Sequence, residues 1–153
     1  MKILLRHWAL ILLIAHCALI FGFSAQSKSV SSQKSKTISD KIVQRVDTKE
    51  MSNYDKAKLP NKIELLVRKS AHILLFAILG VLAQLCAVKY LKKRQLLWAT
   101  IFCLLYAIGD EIHQVFVPGR AGLVSDVLID FVSSFAGIGI LYLIIKLKRR
   151  KKV

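Results

Sequence analysis

Four long runs of apolar residues, each bounded by lysine and arginine, constrain this chain more than any other feature. They lie at about 4–23, 70–90, 96–113 and 123–145. A helix rises ~1.5 Å per residue and the hydrocarbon core of a bilayer is ~30 Å thick, so about 20 apolar residues cross it. A soluble chain would spread its apolar residues periodically over amphipathic elements. Here they are blocked, and the 24 Lys/Arg against 9 Asp/Glu sit between and after the blocks. The expectation is an all-α polytopic membrane protein of four transmembrane helices, folded as one domain over 1–153. The net charge of +15 is better matched to anionic lipid headgroups than to nucleic acid, because no basic helix remains once the apolar runs are removed. Membrane lipids are thus expected partners, and nucleic acid is not.

The first run follows Lys2 and Arg6, as a signal peptide would. It is long for one, and Phe23 spoils the small-x-small pattern at Phe23-Ser24-Ala25, so an uncleaved span is expected. His16 inside it is expected to face the bundle. Cys17, Cys86 and Cys103 all fall inside apolar runs without a CxxC pattern. They read as small apolar residues rather than a disulfide or metal site. Between the first two runs, residues 26–69 are rich in Ser, Lys and Gln and carry no strong periodicity. They read as an extracytoplasmic, partly disordered or surface-lying loop.

Orientation follows from the density of positive charge. The two alternating topologies place 12 Lys/Arg on each side, so totals do not decide. The tight loop Lys89–Arg94 and the tail after Ile145 are the densest clusters. Both argue for cytoplasmic N- and C-termini in the plasma membrane.

On that topology the ionisable residues converge. The second span opens with Arg68, Lys69 and His72. The third closes with Asp110, Glu111, His113 and Gln114, and a tight Val117-Pro118-Gly119-Arg120 turn leads to the fourth, which opens with Asp126 and Asp130. Arg68 and His72 are four apart, as are Asp110 and Gln114, so each pair shares a helix face. Asp126, Asp130, Ser133 and Gly137 form a stripe of small and polar residues suited to close helix packing. Asp130 lies roughly 10 Å below the start of its helix. An unpaired carboxylate at membrane depth costs ~2.5–3.5 kcal/mol on insertion scales, and Arg68, His72 and Arg120 are the cations at hand. Pro118 and Gly119 suit a sharp re-entry, which presents Arg120 at the mouth of the bundle to a carboxylate or phosphate, or to Asp126 of the same chain.

Three readings of this cluster stand at this point: an ion-pair lock between helices, a site for a polar or lipid headgroup, and a catalytic site. No HExxH, GxSxG or CxxC motif supports catalysis. No metal is assigned by a motif, although His and carboxylate oxygens are suitable ligands for a divalent ion. Catalytic residues, cofactor and oligomeric state stay unassigned.

These residues resemble a known family. Arg68-Lys69-Ser70-Ala71-His72 followed by Leu79-Gly80 is similar to the RK-x-AH motif that opens the second helix of VanZ-like proteins. Asp110-Glu111-Ile112-His113-Gln114-Val115-Phe116-Val117-Pro118-Gly119-Arg120 is similar to that family's DE-x-x-Q-x-F-x-PGR signature. Asp126-Val127-Leu128-Ile129-Asp130 resembles the segment after it. Ser24-Ala25-Gln26 resembles its SSQ element, with Ala25 as a departure. The family usually has glycine soon after the Asp130 position; here Ser133-Ser134 stand nearby and Gly137 comes later. The resemblance covers nearly the whole chain and implies the same four-span architecture. It also implies a link to low-level resistance to teicoplanin, a lipid-bearing glycopeptide. The partner would then be a lipid-linked envelope molecule or the glycopeptide itself, bound or excluded at the polar mouth. An intramembrane enzyme acting on a lipid or cell-wall intermediate, or a structural partner of other membrane proteins, is the alternative.

Overall fold

The computed structural model describes residues 2–46 and 52–150. Five helices run in order: α1 (Lys2–Ser24), α2 (Lys28–Val43), α3 (Asn53–Tyr90), α4 (Gln95–Val115) and α5 (Val124–Arg150). No strand occurs among the described residues. Four of the helices, α1, α3, α4 and α5, are long and apolar enough to cross a membrane, as the four apolar runs require. The fold is all-α and polytopic. The tail charges Lys151 and Lys152, and loop residues 47–51, lie outside the described residues, as do the side chains of Lys2 and Arg6.

The stretch read as a partly disordered or surface-lying loop is largely helical among the described residues. It holds α2 and the first 17 residues of α3. Its Ser, Lys and Gln composition hides this, because α2 buries only Ser35 and Ser39. With no apolar stripe, a helix leaves no periodic signal. Ser39 Oγ donates to the carbonyl of Pro60 at 3.0 Å, which ties α2 to α3 at the proline inside that helix. The 38 residues of α3 span ~57 Å, well beyond the ~30 Å hydrocarbon core. Its charged first half therefore extends past the membrane at the end where Arg68 and Lys69 stand.

The centre of the bundle is the crossing of α3 and α5. A Cβ added at Gly80 would lie 1.9 Å from the backbone oxygen of Ser134, and one at Gly137 would lie 2.0 Å from that of Ala77. These two positions let the backbones touch, as small residues do between membrane helices. Phe76, Leu79 and Ile138 fill the space around them. Of the stripe Asp126, Asp130, Ser133 and Gly137, the last three are buried here, while Asp126 stays partly exposed at the rim. Ser133 and Ser134 donate to their own helix at Ile129 O (2.6 Å) and Asp130 O (2.9 Å), which leaves no hydroxyl seeking a partner across the seam.

α1 is pinned to the bundle by backbone carbonyls. His16 Nε2 donates to Leu75 O at 2.9 Å, and Tyr106 Oη donates to Cys17 O at 2.7 Å. His16 thus faces the bundle, as expected. All three cysteines are free.

Candidate functional site

The turn between α4 and α5 builds the site. Arg120 N–H closes it on Val117 O at 3.1 Å. Gly119 adopts φ +75°, a conformation other residues reach only with strain. A Cβ at Gly119 would also stand 3.3 Å from Lys28 Cβ, and the Lys28 amide donates to Pro118 O at 3.3 Å. Glycine therefore lets the start of α2 dock on the turn. Glu111 Oε1 accepts from the Leu123 amide at 2.6 Å and fixes the approach to α5.

Around this turn the bundle opens into a cavity of about 200 Å³. Arg68, Lys69 and His72 line it from α3, Glu111 and Gln114 from α4, and Asp126 and Asp130 from α5, with Arg120 from the turn and Lys28 from α2. Eight of the ten residues singled out from the sequence thus share one cavity. Asp110 lies beneath it, 5% exposed. His113 is the exception: its ring stacks on Phe21 of α1, with centroids 4.3 Å apart. Helical rotation explains this, since residue 113 is ~100° from residue 114 around the axis. The sequence brought His113 to the right end of the helix but to the wrong face.

Two layers can be distinguished. The outer layer is cationic. Lys69 Nζ pairs with Asp126 Oδ1 at 3.4 Å, both side chains over a third exposed. Arg120 Nη1 donates to Gln114 Oε1 at 3.0 Å and its Nε to Gln26 O at 3.1 Å, rather than pairing with Asp126. Burial draws the Arg120 pKa below its ordinary value, Arg68 lowers it further, and Asp110 and Glu111 oppose the shift; the guanidinium stays a cation. Arg68 has no hydrogen bond or ion pair among the described residues.

The inner layer is anionic. Asp110 Oδ2 accepts from Ser24 Oγ at 2.7 Å and from Gln114 Nε2 at 2.9 Å, while Gln114 Nε2 also lies 3.2 Å from Ser24 Oγ. Asp110 Oδ1 is buried without a hydrogen-bond partner. His72 Nδ1 lies 3.7 Å from Asp130 Oδ2, with Asp130 almost fully buried. The His72 ring stacks on Phe76 one turn below. His72, Asp110 and Asp130 each offer a ligand atom, and all three atoms lie within 4.8 Å of one another. Among the described residues, they form a group that could hold a metal ion.

Sequence reading missed Ser24 and Lys28. Ser24 caps the Asp110 carboxylate from 86 residues away, and its only trace was the Ser24-Ala25-Gln26 element. Lys28 left no signal, since it stood in what read as a loop.

A family model described as VanZ/LLP1 matches residues 9–146. No curated protein and no solved structure matches the chain.

Proposed function

The chain belongs to the VanZ-like (VanZ/LLP1) family, and from that premise we propose that its polar mouth binds the anionic head of an amphiphilic envelope molecule. The observation that carries this reading is Arg68. It lines the cavity with Lys28, Lys69 and Arg120, yet no carboxylate among the described residues takes it as an ion-pair partner. An unpaired guanidinium beside a second one is suited to a phosphate or carboxylate, which each can hold by two parallel hydrogen bonds. The apolar faces of α3 and α5 next to the cavity, with Ile73, Leu74, Val124 and Leu128 exposed, give a lipid tail its place. In this reading both termini are cytoplasmic and the mouth faces outward. A lipid-linked envelope precursor then reaches it from the outer leaflet. Altered susceptibility to a lipoglycopeptide of the teicoplanin type follows from binding or excluding either the drug or its lipid-linked target.

The test uses the full chain in detergent after chelator treatment, titrated with a polyprenyl phosphate and with the uncharged polyprenol. The phosphate should bind at least about tenfold more tightly. Arg68→Gln and Arg120→Ala should each weaken it about 10- to 150-fold, the ~1.5–3 kcal/mol expected of a charge-assisted hydrogen bond. Arg68→Gln should leave Tm nearly unchanged, whereas Arg120→Ala also loses its bonds to Gln114 and Gln26 and should lower it. Equal binding of the two lipids, or full affinity in both variants, would overturn the reading. Orientation has its own readout. In a variant free of Cys17, Cys86 and Cys103, a cysteine at Thr37 should react with an impermeant thiol reagent on intact cells, and one at Lys92 should not. The reverse pattern would turn the mouth inward.

A further inference from the structure

Below the cationic layer, Asp110 and Asp130 pose a separate problem. Both are at least 95% buried at the end of a membrane bundle, and neither has a Lys or Arg within ion-pair distance among the described residues. Asp110 has one oxygen held by Ser24 and Gln114 and the other, Oδ1, buried with no partner. Asp130 faces His72, with Oδ2 and Nδ1 3.7 Å apart. That is longer than the ~3.2 Å limit of an ordinary N–H···O hydrogen bond. It is a few tenths of an ångström beyond the ~3.4 Å that separates two ligands each ~2.1 Å from a tetrahedral ion.

We infer that His72, Asp110 and Asp130 hold one divalent transition-metal ion at the floor of the cavity. Each comes from a different helix and offers one ligand atom, and the three atoms lie within 4.8 Å of one another. A small inward shift brings all of them to bonding distance. Two carboxylates balance the charge of a divalent ion, which removes the cost of two uncompensated buried anions. One imidazole nitrogen and two carboxylate oxygens form a donor set that suits Zn²⁺ or Mn²⁺. The surroundings complete the case. Ser24 and Gln114 hydrogen-bond Oδ2 of Asp110 and so orient the carboxylate, as supporting groups do around metal ligands, and Phe76 stacks on the His72 ring. Three protein ligands leave a position for water or for an oxygen of a bound molecule, the arrangement of reactive rather than structural zinc sites. This site stands independently of the headgroup reading: the metal is tested without lipid, and the lipid is tested on chelator-treated protein, so either can fail alone.

The experiment is calorimetric titration of Zn²⁺ into the full-length, chelator-stripped protein in detergent. One equivalent should bind saturably. His72→Gln and Asp130→Asn should weaken it at least about 100-fold, and Ser24→Ala, which removes one support of Asp110, about tenfold. Asp40→Asn, on the exposed side of α2, should leave it unchanged. A second measurement needs no variant. Cu²⁺ bound to the unmodified protein should give an electron paramagnetic resonance spectrum with superhyperfine splitting from a single nitrogen. Absence of a saturable equivalent, wild-type affinity in His72→Gln, or splitting from no nitrogen or from several would each overturn the assignment.

Discussion

The α3–α5 seam and the polar mouth share the helices α3 and α5, the mouth adding α4 and its turn, yet they are built on opposite rules. At the seam the contact is backbone on backbone. Gly80 faces Ser134 and Gly137 faces Ala77 with no room for a methyl group, and the serine hydroxyls bond within their own helix. At the mouth the contacts are between side chains of different helices, and they are imperfect: His72 and Asp130 stand 3.7 Å apart, and Asp110 keeps an oxygen without a partner. The seam's serines are satisfied within their own helix, although Gln84 Oε1, one turn past Gly80, is buried without a partner; the mouth leaves a carboxylate oxygen unpaired and a His–Asp pair apart. Position links the two. His72 is eight residues above Gly80 and Asp130 is seven before Gly137, ~10–12 Å along each axis. The seam therefore sets how far apart the mouth residues stand, and damage should travel from seam to mouth more than the reverse.

The largest effect should come from the seam. Gly80→Ala and Gly137→Ala each force a Cβ to about 2 Å from a backbone oxygen, a contact relieved only by parting the helices. Each should cost ~1–3 kcal/mol or more, as overpacking does, read as a lower midpoint in a detergent unfolding titration. Both act on one seam, so the double variant should lose less than the two losses added. Either variant unfolding like the wild type would mean that the seam is not what fixes the helix pair.

An intermediate effect is expected where α1 meets the mouth. Ser24→Ala removes one of the two donors on Asp110 Oδ2 and leaves Gln114 in place. A loss of about 1 kcal/mol is expected, the typical net worth of a hydrogen bond. Asp110→Asn removes the shared acceptor charge, so the Ser24 effect should shrink in the Asp110→Asn background. A double-mutant cycle in thermal melts checks this; additive losses would show that the bond contributes nothing to holding α1.

The contrast between seam and mouth also explains what could be read from the sequence. Block length alone gave α1, α4, α5 and the membrane part of α3, since an apolar run of that length has few other fates. Spacing of four along α3, α4 and α5 gave most of the mouth, because residues four apart share a face wherever the helix goes. Three things escaped. The register of α4 around its axis decides that Gln114 enters the cavity while His113 turns to Phe21, and no local pattern states that rotation. The helix α2 escaped because its contact with α3 uses serines rather than an apolar stripe. Ser24 escaped because its partner lies 86 residues away. The glycine at 80, by contrast, stood in a motif, and its meaning became physical once Ser134 was found against it.

The smallest effect should come from the pair that looks most like a clasp. Lys69 and Asp126 join α3 to α5 at the rim, 3.4 Å apart, but their side chains are 40% and 36% exposed. Water competes for both charges, salt screens them, and two flexible side chains must be held still, so such pairs contribute between nothing and about 1 kcal/mol. The seam below already fixes the distance the pair spans, which leaves it little to do for stability. Lys69→Gln and Asp126→Asn should therefore shift the unfolding midpoint less than Ser24→Ala, and raising the salt concentration should erase the difference. The charge-reversed double, Lys69→Asp with Asp126→Lys, should unfold like the wild type. A loss as large as that of Gly80→Ala would mean that the mouth, and not the seam, holds α3 against α5.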